Sequence, residues 1–281
     1  MKKNLKYLQI KKDKNEKITM LACHDAPTAK WAEKAGVDII LVGDSLGVNF
    51  LGYNRSEQVT TDDILHHFRA VHRVTKNAYL IVDLPLSSCK NTQHALDDAN
   101  KLIDYGADAV RIRTFDLRLA KYLLTNYIDI CFDVVYPLVK QQFGPSAEDT
   151  TNALIEIIKI ALELQKDGVA MFLFTLFPEQ AAKAATELLT VPTLGVGSGP
   201  FTNGQMLIAA EMLGICNISG NGRYNKQYVN MEQLGLTAIQ KFVQETQAGG
   251  FPMSNNSVSM ESSDAISFLN ALEKAIFVSE E

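Results

Sequence analysis

Two carboxylates stand where apolar runs stop. In "IILVGDSLG" (39–47) four apolar residues lead into Gly43-Asp44-Ser45, and in "YLIVDLP" (79–85) Asp83 again follows a β-branched run. A carboxylate in such a place must be solvated, paired or bound to a cation, because an unpaired buried charge is costly or neutralises itself. Two of them, with no cysteine or histidine cluster alongside, suit a hard cation such as Mg2+. That ion takes one or two protein carboxylates and keeps waters that a 2-oxo acid can displace. The plainer alternative is that each aspartate caps the helix that follows it. Ser45 adds a hydroxyl and Gly47 permits close backbone approach, both suited to a carboxylate or oxyanion.

A second chemical cluster is "AVRIRTF" (109–115), which places Arg111 and Arg113 at alternate positions of a strand. Both side chains then share one face, with Val110 and Ile112 on the other. An unpaired guanidinium would be too costly against a helix layer, so the arginines must face polar space, as anion-binding groups or in ion pairs with Asp133 or another carboxylate. The glycines of "PTLGVGSGPFTNGQ" (192–205) could present backbone N–H groups to an anion or simply make a tight turn. His24, beside Asp25, is a candidate to reach the site, whereas His66 and His67 read as surface or packing residues of a helix and Trp31 as helix packing. No Ser-His-Asp arrangement follows from the spacing.

Apolar, β-rich runs near 17–24, 37–43, 78–83, 108–112, 127–135, 169–176, 192–197 and 214–219 predict the strands that must position these residues. Helical patterns at 26–35, 60–75, 92–105, 116–126, 148–167, 178–189, 203–213 and 232–247 alternate with them. Start signals at Thr60-Thr61-Asp62-Asp63 and Pro178-Glu179, and stop glycines in "KAGV", "YGAD" and "KDGV", punctuate the pattern. Eight strand-helix units predict a single (β/α)8 TIM barrel, whose active site lies at the C-terminal strand ends. An open doubly wound sheet is disfavoured because no GxGxxG follows the first strand. Asp44 and Asp83 then end adjacent strands and can converge on one ion.

The chain of 281 residues is 47% hydrophobic with a net charge of -5, enough for a large core and contrary to a nucleic-acid-binding surface. Cys23, Cys89, Cys131 and Cys216 lie far apart, which indicates neither a zinc site nor a disulfide framework and fits a reducing cytoplasm. The lysine-rich leader (1–16) lacks the apolar core of a secretory signal and reads as solvated, and no apolar run reaches membrane-spanning length. The Ser-rich stretch 253–265 reads as a connection to a final helix at 264–278, within a C-terminal region 253–281.

The motifs "LVGDSLG" (41–47), "VTTDDILHH" (59–67), "VDLP" (82–85), "GADAVRI" (106–112), "VPTLGVGSG" (191–199), "NGQMLI" (203–208) and "GGFP" (249–252) resemble the ketopantoate hydroxymethyltransferase family, a barrel of the phosphoenolpyruvate mutase/isocitrate lyase type. The resemblance covers most of the chain. It implies that Asp44 and Asp83 hold Mg2+, that Ser45 binds the substrate carboxylate, and that a hydroxymethyl group moves from 5,10-methylenetetrahydrofolate to 3-methyl-2-oxobutanoate. It also implies a homo-oligomer, often a decamer. Four positions depart from the family pattern. Arg111 and Arg113 stand for a lysine and a glutamate, Asp133 for a histidine, and Thr175 for the glutamate base. Their formal charge sums to about +1, against about -1 for the family set. That change raises two alternatives: carbon-carbon bond chemistry on a more anionic 2-oxo acid, or a ligand-binding protein that has lost catalysis. Glu179 and Asp133 are candidates for the missing base.

Overall fold

The computed structural model describes residues 2–113, 116–143, 146–216 and 224–277. Its strands are β1 (Ile18–Ala22), β2 (Ile39–Val42), β3 (Tyr79–Asp83), β4 (Ala109–Ile112), β5 (Ile130–Val135), β6 (Met171–Thr175), β7 (Thr193–Val196) and β8 (Gly204–Ile208). Each pairs in parallel with the next, and β8 returns to β1 to close the barrel. The helices around them are α1 (Leu5–Asp13), α2 (Ala26–Ala35), α3 (Leu46–Phe50), α4 (Thr61–Val74), α5 (Thr92–Asp104), α6 (Leu117–Thr125), α7 (Tyr136–Phe143), α8 (Ala147–Lys166), α9 (Glu179–Leu188) and α10 (Ala209–Met212). The expected caps are present. Thr60 and Asp63 form a capping box at α4, and Gly36 ends α2 in the left-handed conformation at φ 82°.

Strand alternation divides the apolar residues between two cores. Met20, Ile39, Leu41, Ile81, Ala109, Cys131, Met171, Leu173 and Leu194 fill the barrel, while Val42, Val82, Val110, Ile112, Phe132, Phe172 and Phe174 pack against the helices. The interior is therefore packed, and chemistry is confined to the rim where the inward positions turn polar.

At the opposite end, the basic leader is not a solvated tail. α1 buries Leu8 completely, and its base is fixed by Asp38, which accepts from the Tyr7 hydroxyl at 2.9 Å, Lys11 at 2.7 Å and the Thr19 N–H at 2.9 Å. Lys12 donates to the carbonyls of Leu189 and Val191. The lysine-rich composition of a short segment hid a helix in which Lys11 and Lys12 have fixed acceptors.

The eighth strand also differs from expectation. It lies at Gly204–Ile208, inside the stretch expected to be helical at 203–213; α10 takes only its end. Residues 214–216 form no strand, and 217–219 lie outside the described residues. "GQMLI" suits either structure by residue type. Gly204 decides it, because a Cβ there would lie 2.3 Å from the Ile18 carbonyl oxygen, so only glycine lets this segment close against β1. Trp31 is not packed inside: it is 48% exposed, beside an apolar groove with Ala32, Leu207 and Met212.

Residues from Met231 onward form a separate unit containing α11 (Met231–Gln247) and α12 (Ser262–Phe277). Among the described residues, no helix is long and apolar enough to cross a membrane.

Candidate active site

Inward positions climb each strand in steps of two and become charged at the C-terminal rim. On β4 the series runs Ala109, Arg111, Arg113; on β5 it runs Cys131, Asp133; on β6 it runs Met171, Leu173, Thr175. Register then sets neighbours, with Asp83 opposite Arg111 and Arg111 opposite Cys131, one step below Asp133. Gly43 leaves room for the cluster, since a Cβ there would meet Asp83 Oδ2 at 3.2 Å and Arg111 Nη2 at 3.5 Å.

Arg111 grips Asp83 through two parallel bonds, Nε to Oδ1 and Nη2 to Oδ2, each at 2.5 Å. Asp83 Oδ2 also accepts the Asp44 backbone N–H at 2.8 Å. Arg111 Nη1 lies 3.3 Å from Asp133 Oδ2, and Nη2 lies 3.9 Å from Asp44 Oδ1. Arg113 Nη2 pairs directly with Asp44 Oδ2. Thr175 Oγ1 donates to Asp133 Oδ1 at 2.7 Å. Asp44, Asp83 and Asp133 are all buried, so each charge depends on these partners.

The electrostatics follow from this packing. Burial opposes the Arg111 charge, but Asp83 and Asp133 outweigh it and hold the guanidinium above its ordinary pKa. Burial raises the Asp133 carboxyl, against the pull of Arg111, Arg113 and the Thr175 hydroxyl. Arg113 is lowered, chiefly by burial. His24 is buried beside His67 and Arg111 and is pushed down to about 3, so it is neutral near pH 7.

The structure thus brings together Asp44, Asp83, Arg111, Arg113, Asp133 and Thr175. Asp44 is not a helix cap; Ser45 occupies the N-cap position of α3 and makes no side-chain cap bond. Instead Ser45 Oγ lies 3.2 Å from His24 Nε2, and His67 Nδ1 lies 2.5 Å from the His24 carbonyl oxygen. His24 therefore reaches the rim, which adjacency to Asp25 did not establish. Thr175, which stands where the family has its glutamate base, donates its hydroxyl to Asp133. The glycine-rich loop after β7 is a pinned turn, since Ser198 Oγ accepts from the Phe177 N–H and donates to the Phe174 carbonyl. What the spacing left open was the pairing of both arginines with the strand-end aspartates. Opposite charges on one layer of one barrel face were the available signal.

The profile of the ketopantoate hydroxymethyltransferase family matches residues 2–254. The chain belongs to the ketopantoate hydroxymethyltransferase family. It is 35% identical over 258 residues to the 3-methyl-2-oxobutanoate hydroxymethyltransferase of Thermotoga maritima, covering 90% of this chain and 95% of that one. It is 33% identical over 252 residues to the enzyme of the same name from Thermosipho melanesiensis, covering 84% and 92%. Solved structures with the same fold include a phosphonopyruvate hydrolase complexed with oxalate and Mg2+, at TM-score 0.58 and 14% identity over 98% of this chain and 99% of that one. Another is 2,3-dimethylmalate lyase, a phosphoenolpyruvate mutase/isocitrate lyase superfamily member, at TM-score 0.58 and 11% identity over 99% and 98%.

Membership of the ketopantoate hydroxymethyltransferase family supports a divalent cation of the magnesium kind, expected from the sequence at the corner formed by Asp44 and Asp83. The residues around that corner do not fit one. Both Asp83 oxygens are engaged by Arg111, and Asp44 Oδ2 is engaged by Arg113. Among the described residues, no group of three His, Cys, Asp or Glu side chains could hold a metal ion.

Proposed function

We propose that the chain is a hydroxymethyltransferase that moves a one-carbon unit from 5,10-methylenetetrahydrofolate to 3-methyl-2-oxobutanoate, giving 2-dehydropantoate for pantothenate synthesis. Family membership over residues 2–254 carries this reading, and the rim supplies groups for its steps. Arg111 and Arg113 offer N–H donors beyond those held by aspartates, and with Ser45 they would bind the carboxylate and 2-oxo group of the substrate. The enolate formed on losing the C3 proton would be stabilised by the same guanidiniums, whose positions are fixed before substrate arrives.

Asp133 is the base in this scheme. Its Oδ1 is held by Thr175, while its Oδ2 has no hydrogen bond among the described residues. Burial raises its proton affinity, which suits proton abstraction near neutral pH. Water would add to the methylene carbon as its bonds to the two folate nitrogens break, giving formaldehyde and tetrahydrofolate. The C3 carbanion would then attack the formaldehyde carbon, and the alkoxide formed would take back the proton held by Asp133 to become the hydroxymethyl group.

Cytoplasmic location and homo-oligomeric assembly belong to the same reading. The apolar side chains of Leu234, Ile239, Phe242, Ile266 and Leu269 are exposed in the single chain, as a self-associating surface requires. The test of the chemical step is exchange of the C3 proton of 3-methyl-2-oxobutanoate in D2O, followed by proton NMR. Enzyme-dependent loss of the C3 signal is expected. Exchange no faster than the buffer rate would remove the enolisation step.

A further inference from the structure

The rim already contains two cations. Three buried carboxylates, Asp44, Asp83 and Asp133, face two guanidiniums, and every carboxylate has at least one arginine within 3.3 Å. Asp83 is saturated on one side: Oδ2 accepts from both Arg111 Nη2 and the Asp44 N–H, while Oδ1 accepts from Arg111 Nε. Asp44 Oδ1 is held more loosely by Arg111, whose Nη2 lies 3.9 Å away. A divalent ion bridging this corner would have to displace a bidentate guanidinium from Asp83 or a direct partner from Asp44, and then sit beside the displaced positive charge.

Displacement has nowhere favourable to send the arginine. Arg111 is held on one side by Asp83 and on another by Asp133. Its lateral neighbours on the strand, Val110 and Ile112, face the apolar helix layer, so the guanidinium cannot swing through the strand. Arg113 is more exposed, at 23% for its side chain, and is the removable one of the two.

We propose that Arg111 and Arg113 take the place of a divalent cation at the Asp44/Asp83 corner, making the barrel mouth a preformed anion site that binds a 2-oxo acid without metal. The substrate carboxylate and carbonyl oxygens then meet fixed guanidinium N–H donors, which are planar and suited to paired oxygens. This inference concerns the same site as the transferase reading and takes the 2-oxo acid from it, but its central measurement does not need turnover.

The test is titration of Mn2+ into the full-length protein, followed by electron paramagnetic resonance of the free ion, for wild type, Arg113→Glu and Arg113→Lys. Wild type and Arg113→Lys should bind Mn2+ weakly. Arg113→Glu exchanges a repelling cation for a third carboxylate and should tighten binding by about 100-fold or more, as expected from reversing one charge a few ångströms away. Tight Mn2+ binding to wild type that Asp44→Asn abolishes would overturn the proposal. Weak binding that both Arg113→Glu and the double variant Arg111→Met/Arg113→Glu leave unchanged would overturn it too, because neither arginine would then be the obstacle. Oxalate titration of wild-type protein in EDTA gives a check independent of any variant. Binding within threefold of that in excess Mg2+ supports the proposal, and binding that requires Mg2+ contradicts it. Failure of both oxalate and 3-methyl-2-oxobutanoate to bind in either buffer would overturn the anion site as well, whereas oxalate binding in EDTA with no binding of 3-methyl-2-oxobutanoate would count against the transferase reading alone.

Discussion

Replacing Thr175 by valine should shift the pH dependence of proton abstraction without moving the base itself. The substitution keeps the shape of the side chain but deletes the hydroxyl that donates to Asp133 Oδ1 at 2.7 Å. A hydrogen bond to a charged group contributes about 1.5 to 3 kcal/mol, and each pKa unit corresponds to about 1.4 kcal/mol. Because the bond favours the ionised carboxylate, its loss should raise the Asp133 pKa by about one to two units. Burial already raises that pKa, with the guanidiniums opposing, so the change is in the same direction as burial. The assay is C3 exchange of 3-methyl-2-oxobutanoate in D2O across pH. In Thr175→Val the acid limb should move upward by that amount, while Asp133→Asn should lower the plateau by about 10²- to 10⁴-fold, the usual contribution of a general base. An acid limb that stays in place in Thr175→Val, or full exchange in Asp133→Asn, would refute the assignment.

Three further outcomes follow from the same geometry. Asp83→Asn leaves Arg111 buried without its main partner and should lower stability by about 3 to 5 kcal/mol, read as a shift in the urea midpoint. At the far end of the barrel, burial opposes the Asp38 charge, but Lys11, the Thr19 N–H, the Tyr7 hydroxyl and Lys3 hold its pKa down to about 2 from 3.8. A depressed folded-state value means that this stability is present above pH 4 and is lost as pH falls through 2, amounting to about 2 kcal/mol that Asp38→Asn should remove at neutral pH. Leu8→Ala should cost about 2 to 5 kcal/mol in the same denaturation assay, since α1 buries that side chain completely; a cost below 1 kcal/mol would mean that α1 does not belong to the folding unit.

The barrel was legible because seven of its strands are short apolar runs that alternate with helical segments, and that local pattern agrees with the closed sheet. β8 was not, because Met206, Leu207 and Ile208 suit a helix as well as a strand, and the contact that decides, Gly204 against Ile18, joins residues far apart in the chain. The same division holds at the site. Strand-end position identified Asp44 and Asp83, and period-two spacing put Arg111 and Arg113 on one face. Their pairing depends on register between β3 and β4, which no single segment encodes. Thr175 read as a gap in the catalytic set because its role appears only once β5 and β6 are side by side, with its hydroxyl on Asp133. The leader was misread for a similar reason: the acceptors of its lysines are Asp38 and the carbonyls of Leu189 and Val191, distant in sequence.

The most direct test of the transferase assignment is carbon transfer itself. Purified protein is incubated with 3-methyl-2-oxobutanoate and 5,10-methylenetetrahydrofolate carrying 13C in the methylene bridge, and the mixture is followed by carbon NMR. The account predicts an enzyme-dependent hydroxymethyl resonance of 2-dehydropantoate, reduced in Asp133→Asn. A wild-type protein that binds the 2-oxo acid and exchanges its C3 proton yet never forms the labelled hydroxymethyl group would contradict it.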